Sequence, residues 1–229
     1  MSDVAKIVQL QIGMPQSYGS PDAKEAMDRE WTTGFFKQPT EAPVQLDWEG
    51  LIGDGVADPI NHGGRDKAML VYGASHYPLW REELRGLIDA TKFGDGAFGE
   101  NLTVSDWTEE TVCLGDVYHV GTAVLQVSQP RQPCWKLARR WRLKELTALA
   151  VKTGRMGWYV RVLETGTLQV GDEIRLAERP APDWSIARIN QLFYHDRKNV
   201  EAAQFLADCP LLAEVWREDF RRRVEQATG

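Results

Sequence analysis

Residues 126–137 read Q-V-S-Q-P-R-Q-P-C-W-K-L and contain the first candidate for a reactive centre, Cys134. The thiolate is the form of cysteine that attacks electrophiles and binds metals, and cationic neighbours favour it. Arg131 and Lys136 supply that charge, while Pro130 and Pro133 stiffen the loop. Loops leaving strand ends are where proteins concentrate functional groups. A thiolate is a soft ligand, suited to copper, zinc and the softer transition metals. The competing reading is a buried, inert cysteine, which is common. Cys113, among apolar residues, and Cys209, at a helix end, take that second reading.

Three further stretches have residue types suited to a site. Residues 61–67, N-H-G-G-R-D-K, place two glycines where backbone N–H groups can converge on an anion, with Arg65 or Lys67 adding charge. A plain surface turn would look the same, and His62 would then cap it rather than bind phosphate. Residues 94–102 end in F-G-E-N-L. Their glycines permit close backbone approach, Asn101 offers a donor and an acceptor to a heterocycle, and Glu100 either pairs with a cation or serves the site. Residues 153–159, T-G-R-M-G-W-Y, read equally as one side of a pocket and as a helix-to-strand loop with core aromatics. The arginines at 221–223 sit among Glu218, Asp219 and Glu225 and read as a solvated helix face; those at 139–142 follow Cys134 and extend an anion-binding region. No G-x-G-x-x-G, Walker loop, H-E-x-x-H or G-x-S-x-G occurs. The histidines are His62, His76, His119 and His195, and spacing alone does not select the one that approaches the thiol.

These residues need a scaffold, and the 229-residue chain is long enough to bury a substantial core. Nine tryptophans are expected to fill core and groove positions. A net charge of −6 argues against bulk, sequence-independent nucleic-acid binding. Three cysteines without C-x-x-C spacing argue against a disulfide scaffold or structural zinc site and fit a reducing compartment. No run approaches the roughly 18 apolar residues of a membrane span, and the first eleven residues lack a signal-peptide core, so the expectation is a cytoplasmic protein.

Alternation predicts a strand over 4–12, and short strands separated by glycine turns recur through 45–51, 111–114, 117–127 and 166–176. Residues 68–72 form a short apolar run. Such grammar suggests a closed or partly closed β structure. Residues 13–43 form a long excursion packed on the body through Trp31, Phe35 and Phe36, with charges at 22–30 predicting a short helix. Helices are predicted over 75–88 and 143–152. From residue 185 the character changes to three helices, 186–194, 199–205 and 211–227, with Pro210 separating the last two. The expected division is 1–180 and 181–229, with 179–182 as the linker.

Taken in order and spacing, His62-Gly63-Gly64, Gly99-Glu100-Asn101-Leu102, Gly115-Asp116 and Gln129-Pro130-Arg131-x-Pro133-Cys134-x-Lys136 resemble the MOSC family, domains related to the C-terminal part of molybdenum cofactor sulfurases. The resemblance spans residues 40–178, and the whole chain is similar to stand-alone bacterial YiiM-type proteins. It implies a mainly β fold: a MOSC-type β-barrel with peripheral helices and a small C-terminal helical section. It also implies a molybdopterin-type molybdenum cofactor, with Cys134 as the thiolate ligand to the metal. Arg131 joins Cys134 as a catalytic residue, and His62, Gly63, Gly64, Lys67, Gly99, Asn101, Arg131 and Lys136 are the implied cofactor-binding residues. YiiM-type relatives often carry a basic residue where Asn61 stands and an arginine where Lys67 stands; lysine keeps the charge but not the geometry. The implied activity is reduction of small N-hydroxylated compounds, hydroxylamino purines and amidoximes, to amines or amidines. With no flavin, haem or iron–sulfur motif in view, electrons are expected from a separate donor protein or small reductant. Neither a stable nucleic-acid complex nor a membrane is expected, and homodimerisation is one use for the apolar helix faces. The same residues also suit a cofactor carrier without turnover, or a sulfur carrier holding a persulfide on Cys134.

Overall fold

The computed structural model describes residues 3–228. Seven strands close into a barrel: β1 (Val4–Ile12), β2 (Met69–Gly73), β3 (Leu102–Val104), β4 (Val117–Val120), β5 (Ala123–Pro130), β6 (Trp158–Glu164) and β7 (Glu173–Glu178). Their order around the barrel is β1-β3-β2-β6-β5-β4-β7, and β7 pairs back onto β1. Closure leaves these strands no open edge. All these pairs are antiparallel except β2 with β3. A parallel pair needs a long crossover, and residues 74–101 provide it, including helix α2 (His76–Glu83), which follows the short helix α1 (Pro59–His62).

The central strand β5 is buried along nearly its whole length. One face fills the barrel and the other meets the C-terminal helices, so it carries an apolar run rather than a clean alternation. Helices α3 (Trp135–Trp141) and α4 (Leu146–Thr153) pack with α2 on the barrel's flank, around Tyr77, Trp80, Phe93, Phe98, Leu137 and Leu146. Helices α5 (Ile186–Tyr194), α6 (Val200–Asp208) and α7 (Glu214–Thr228) follow. Ser185 Oγ accepts the Arg188 N–H at 3.1 Å and Asn199 Oδ1 accepts the Ala202 N–H at 3.1 Å, capping α5 and α6. One hydrophobic cluster runs from Ile7, Val127 and Val160 inside the barrel to Ile189, Leu206, Trp216 and Phe220 on these helices. Buried Asp116, at the Gly-Asp turn, accepts from Arg179 Nη2 at 2.7 Å and Nε at 2.9 Å, tying the barrel to the segment that leads into α5. Among the described residues no helix is long and apolar enough to cross a membrane.

Several sequence expectations change. The single strand expected over 117–127 is two strands, because Gly121 (φ +55°) turns the chain where any Cβ would collide with the Thr167 carbonyl. Residues 111–114 form no strand; Asp116 Oδ2 accepts the Cys113 N–H at 2.9 Å and holds the segment as a turn. The excursion holds one 3-10 turn, Ala26–Asp28, inside a hairpin of Gln16–Tyr18 with Trp31–Thr33, so pairing overrides the charge pattern there. Helix α2 ends at Glu83, before a turn that uses Gly86 at φ +80°. Helix α3 is not predicted by the sequence, and strand β6 begins at Trp158, inside the stretch that reads as a pocket side or a helix-to-strand loop. The prolines before α3 read as loop, and the arginines on it and at its C-cap turn onto the excursion. Arg140 donates to the Phe35 carbonyl at 2.9 Å, Arg139 stands 5.0 Å from the Trp31 ring, and Arg142 pairs with Asp28. They clasp the excursion and form no anion-binding extension.

Candidate functional site

Strand β5 ends at Pro130, and the Arg131 N–H still reaches the Gly157 carbonyl, at 3.1 Å, before the chain turns into α3 with Cys134 at its N-cap. That turn brings three distant segments around one cavity of about 440 Å³. Arg131, Cys134 and Lys136 come from the strand end, His62, Gly63, Gly64 and Lys67 from the turn after α1, and Phe98, Gly99 and Asn101 from the crossover. All nine site residues implied by the family resemblance therefore line the same space, while Arg65 and Glu100 do not. Tyr159, at the end of the 153–159 stretch that reads as one side of a pocket, lines it too, and so does Phe35; nothing in the sequence pointed to Phe35, because an aromatic about a hundred positions away has no local pattern linking it to a cysteine loop.

Cys134 is half-buried and free. Arg131 is 4% exposed and lies 5.8 Å from the Phe35 ring centre and 5.6 Å from that of Phe98. Its Nη1 is buried without a hydrogen-bond partner among the described residues. An unpaired buried cation is costly, and aromatic faces offset only part of that cost. The arrangement favours an anion. Gly99 (φ +74°) helps create it: a Cβ there would lie 3.0 Å from the Phe35 ring.

Around the α1 turn, Asp58 Oδ1 accepts the Asn61 N–H at 3.1 Å and the Gly63 N–H donates to the Pro59 carbonyl at 3.1 Å. Gly64 has φ +91° and ψ 166°, with no atom within 4 Å of where a Cβ would stand. Lys67 Nζ donates to the Asn61 carbonyl at 2.7 Å. Burial pushes the His62 pKa down, and the positive charge of Lys136 pushes the same way. Burial also lowers that of Lys67. Lys136, Arg131 and Lys67 all make a proton on His62 costlier, with Asp58 opposing them, so the rim around this imidazole is predominantly cationic.

Asn101 lines the cavity with its carboxamide largely engaged. Oδ1 accepts the Leu70 N–H at 3.1 Å, and Nδ2 donates to the Gln11 carbonyl at 3.3 Å and to Asp54 Oδ2 at 2.8 Å. It clamps β1, β2 and the loop of Asp54, which is ion-paired with Lys37. Glu100 is fully buried and accepts from the Tyr77 hydroxyl, the Gly96 N–H at 2.6 Å and the Phe98 N–H at 3.1 Å, so it holds the loop rather than a cation. Of the histidines only His62 lines this cavity. His76 meets Glu109 at 2.6 Å, and Arg155 meets Glu83, both elsewhere. From the C-terminal helices, Asp219 accepts from Gln132 at 3.4 Å. Burial, with Asp219 assisting, pushes the Tyr194 phenol up to about 12.

Among the described residues no three His, Cys, Asp or Glu side chains converge as a metal-binding set. The cavity instead offers one soft ligand, Cys134, beside an unpaired guanidinium and a cationic rim. That donor set fits an anionic organic group carrying a metal that takes its remaining ligands from that group.

The MOSC domain model matches residues 58–175, and a YiiM-like, 3-alpha helix domain model matches residues 184–227. The chain is 42% identical over 208 residues to the uncharacterized protein YflK of Bacillus subtilis, covering 91% of this chain and 92% of YflK. It is 38% identical over 190 residues to a reductase of Gibberella moniliformis, covering 82% of this chain but 33% of that protein. The crystal structure of YiiM from Geobacillus stearothermophilus superposes with a TM-score of 0.78 at 37% identity, over 96% of this chain and 99% of that one.

Proposed function

Because the chain belongs to the MOSC domain family and is closely related to YiiM-type proteins, we propose that it is a molybdenum-cofactor-dependent oxidoreductase. Its substrates on this reading are N-hydroxylated compounds, hydroxylamino purines and amidoximes, reduced to amines or amidines. The observation that carries the proposal is the juxtaposition of the Cys134 thiol with the unpartnered, buried Arg131 in one cavity. When bound, the molybdenum cofactor supplies the two-electron reduction of the N–O bond, which with two protons releases water. The protein's part is to bind and orient. Cys134 provides the thiolate ligand to the metal. Arg131 meets the cofactor's negative charge, with Lys67, Lys136 and the Gly63-Gly64 backbone completing the anion wall. His62, its pKa lowered by burial, is neutral at neutral pH and can hold one proton on either ring nitrogen. Asn101 and Gly99 hold the third wall in place. Electrons come, on this reading, from a separate donor protein or small reductant.

The test is metal and pterin content of the native chain beside Cys134→Ala, both made in a host that supplies the cofactor and purified without chelators. Near-stoichiometric molybdenum and pterin, lost in the variant, supports the reading and is followed by an N-hydroxy reductase assay. Molybdenum absent from both, in a host where a control enzyme is loaded, overturns it.

A further inference from the structure

Tyr159 belongs to β6, where the register sets it opposite Gln129 of β5 on one side and Leu70 of β2 on the other. Its carbonyl accepts the Ser128 hydroxyl at 3.0 Å. A side chain carried by a strand paired on both edges is held more precisely than one on a loop. Alternation puts Trp158, Val160 and Val162 in the core and Tyr159 on the other face of the strand, where it lines the cavity with Arg131 and Cys134.

Other neutral side chains on the cavity wall are already engaged. Thr33 is buried and its Oγ1 accepts the Phe35 N–H at 3.1 Å. Asn101 Nδ2 donates to the Gln11 carbonyl and to Asp54, and Gln132 Nε2 donates to Asp219. The Tyr159 hydroxyl has no hydrogen-bond partner among the described residues and is not a sealed atom, so the cavity reaches it. Burial raises its pKa, with Arg131 pulling the other way and Cys134 adding to the rise. The phenol therefore keeps its proton at neutral pH and acts as a donor. Arg131, Lys67 and Lys136 already answer negative charge, and charged donors do so about twice as strongly as neutral ones. A neutral donor suits an uncharged oxygen instead. Its electrostatic coupling to Arg131 and Cys134 puts it at the thiol's end of the cavity.

Resting on the reading of this cavity given above, we propose that Tyr159 selects the N-hydroxyl group: its hydroxyl donates a hydrogen bond to the oxygen on the substrate's nitrogen. Substrate has that oxygen and product lacks it, so the bond favours the compound to be reduced and is gone once water has left. A site built to hydrogen-bond a hydroxyl discriminates against the analogue without one.

The experiment uses the full chain, loaded in a host that supplies the cofactor and kept without reductant, so that nothing turns over. Calorimetry measures binding of 6-hydroxylaminopurine and of adenine, which share one ring system and differ in that oxygen. The native chain prefers the hydroxylamino compound. Tyr159→Phe keeps the native molybdenum and pterin content, binds the hydroxylamino compound about fivefold more weakly, and binds adenine as before. Tyr159→Met, which also lacks the donor, stands in should the phenylalanine variant fail to fold. An equal loss for both purines means that Tyr159 only shapes the cavity, and overturns the proposal. So does loss of cofactor from the Tyr159 variants alone. Full loading with an unchanged preference sinks this proposal and leaves the cofactor reading standing. Absence of molybdenum from the native chain sinks that reading, and this proposal with it.

Discussion

Arg131 is a cation placed where folding alone gives it little return. It has aromatic faces beside it, a buried nitrogen without a partner, and Cys134 in the same cavity. Replacing an uncompensated buried charge by an apolar residue of similar length is neutral or stabilising, and methionine packs well against aromatic rings. Arg131→Met is therefore expected to melt no lower than the native chain when both are cofactor-free. The same variant, made in a cofactor-supplying host, is expected to retain far less molybdenum and pterin. A lower melting midpoint with full cofactor content would reverse the assignment. His62 gives a pH-dependent prediction. Its folded pKa lies below the ordinary 6.5, through burial first and Lys136 second. Below 6.5 the unfolded chain takes up a proton that the folded chain refuses. The stability linked to this group is thus complete above pH 6.5, falls as pH drops from there towards the folded pKa, and levels off beneath it. An NMR titration should place the imidazole midpoint below 6.5, and Lys136→Gln should move it upward. Denaturation midpoints of His62→Gln should lose that part of the native chain's pH slope.

The elements that carry these residues were unevenly visible in the sequence. Strand β1 announced itself by alternation, and α5 by its apolar spacing and the serine before it. The break between β4 and β5 was hidden, because Val117, Val120, Ala123, Val124 and Val127 are all buried and read as one continuous strand. The clash that forces Gly121 to turn comes from Thr167, forty-six positions on, and no local window contains it. Helix α3 was masked by the prolines before it, although those prolines end the strand and leave Cys134 at the helix's N-cap. The turn after α1 shows what a glycine pair does once placed. Gly64 takes φ +91° and ψ 166°, a region that residues with a Cβ occupy at a cost of about 1–3 kcal/mol. Nothing stands within 4 Å of the added carbon, so the expected loss in Gly64→Ala is backbone strain alone. Urea unfolding should show a drop of that size; an unchanged midpoint would mean that the turn relaxes freely.

At the scale of the molecule, barrel and C-terminal helices share one hydrophobic cluster, with Trp216 fully buried in it. Trp216→Ala is expected to cost roughly 3–5 kcal/mol, as for other large-to-small changes in a packed core. Barrel and helices should also unfold in a single transition; two separate transitions in calorimetry would show that the shared cluster does not couple them. This joint packing also buries Asn190 on α5 at 2% exposure, which no sequence pattern marks, since an isolated asparagine on a helix reads as an ordinary polar residue. By itself the sequence determined the chemistry on offer: a cysteine in a proline-stiffened cationic loop, a His-Gly-Gly turn and an Asn-bearing glycine loop. Residue type and short-range spacing suffice for that, because they depend on covalent structure and local backbone preference. Only the tertiary structure decided which groups remain free to act. It engaged Asn101 and Glu100 in clamping the barrel, turned the arginines after Cys134 onto the excursion, and left Arg131 unpartnered. Hydrogen-bond satisfaction is a property of neighbours brought from anywhere in the chain, so it is set when the barrel closes and the helices dock.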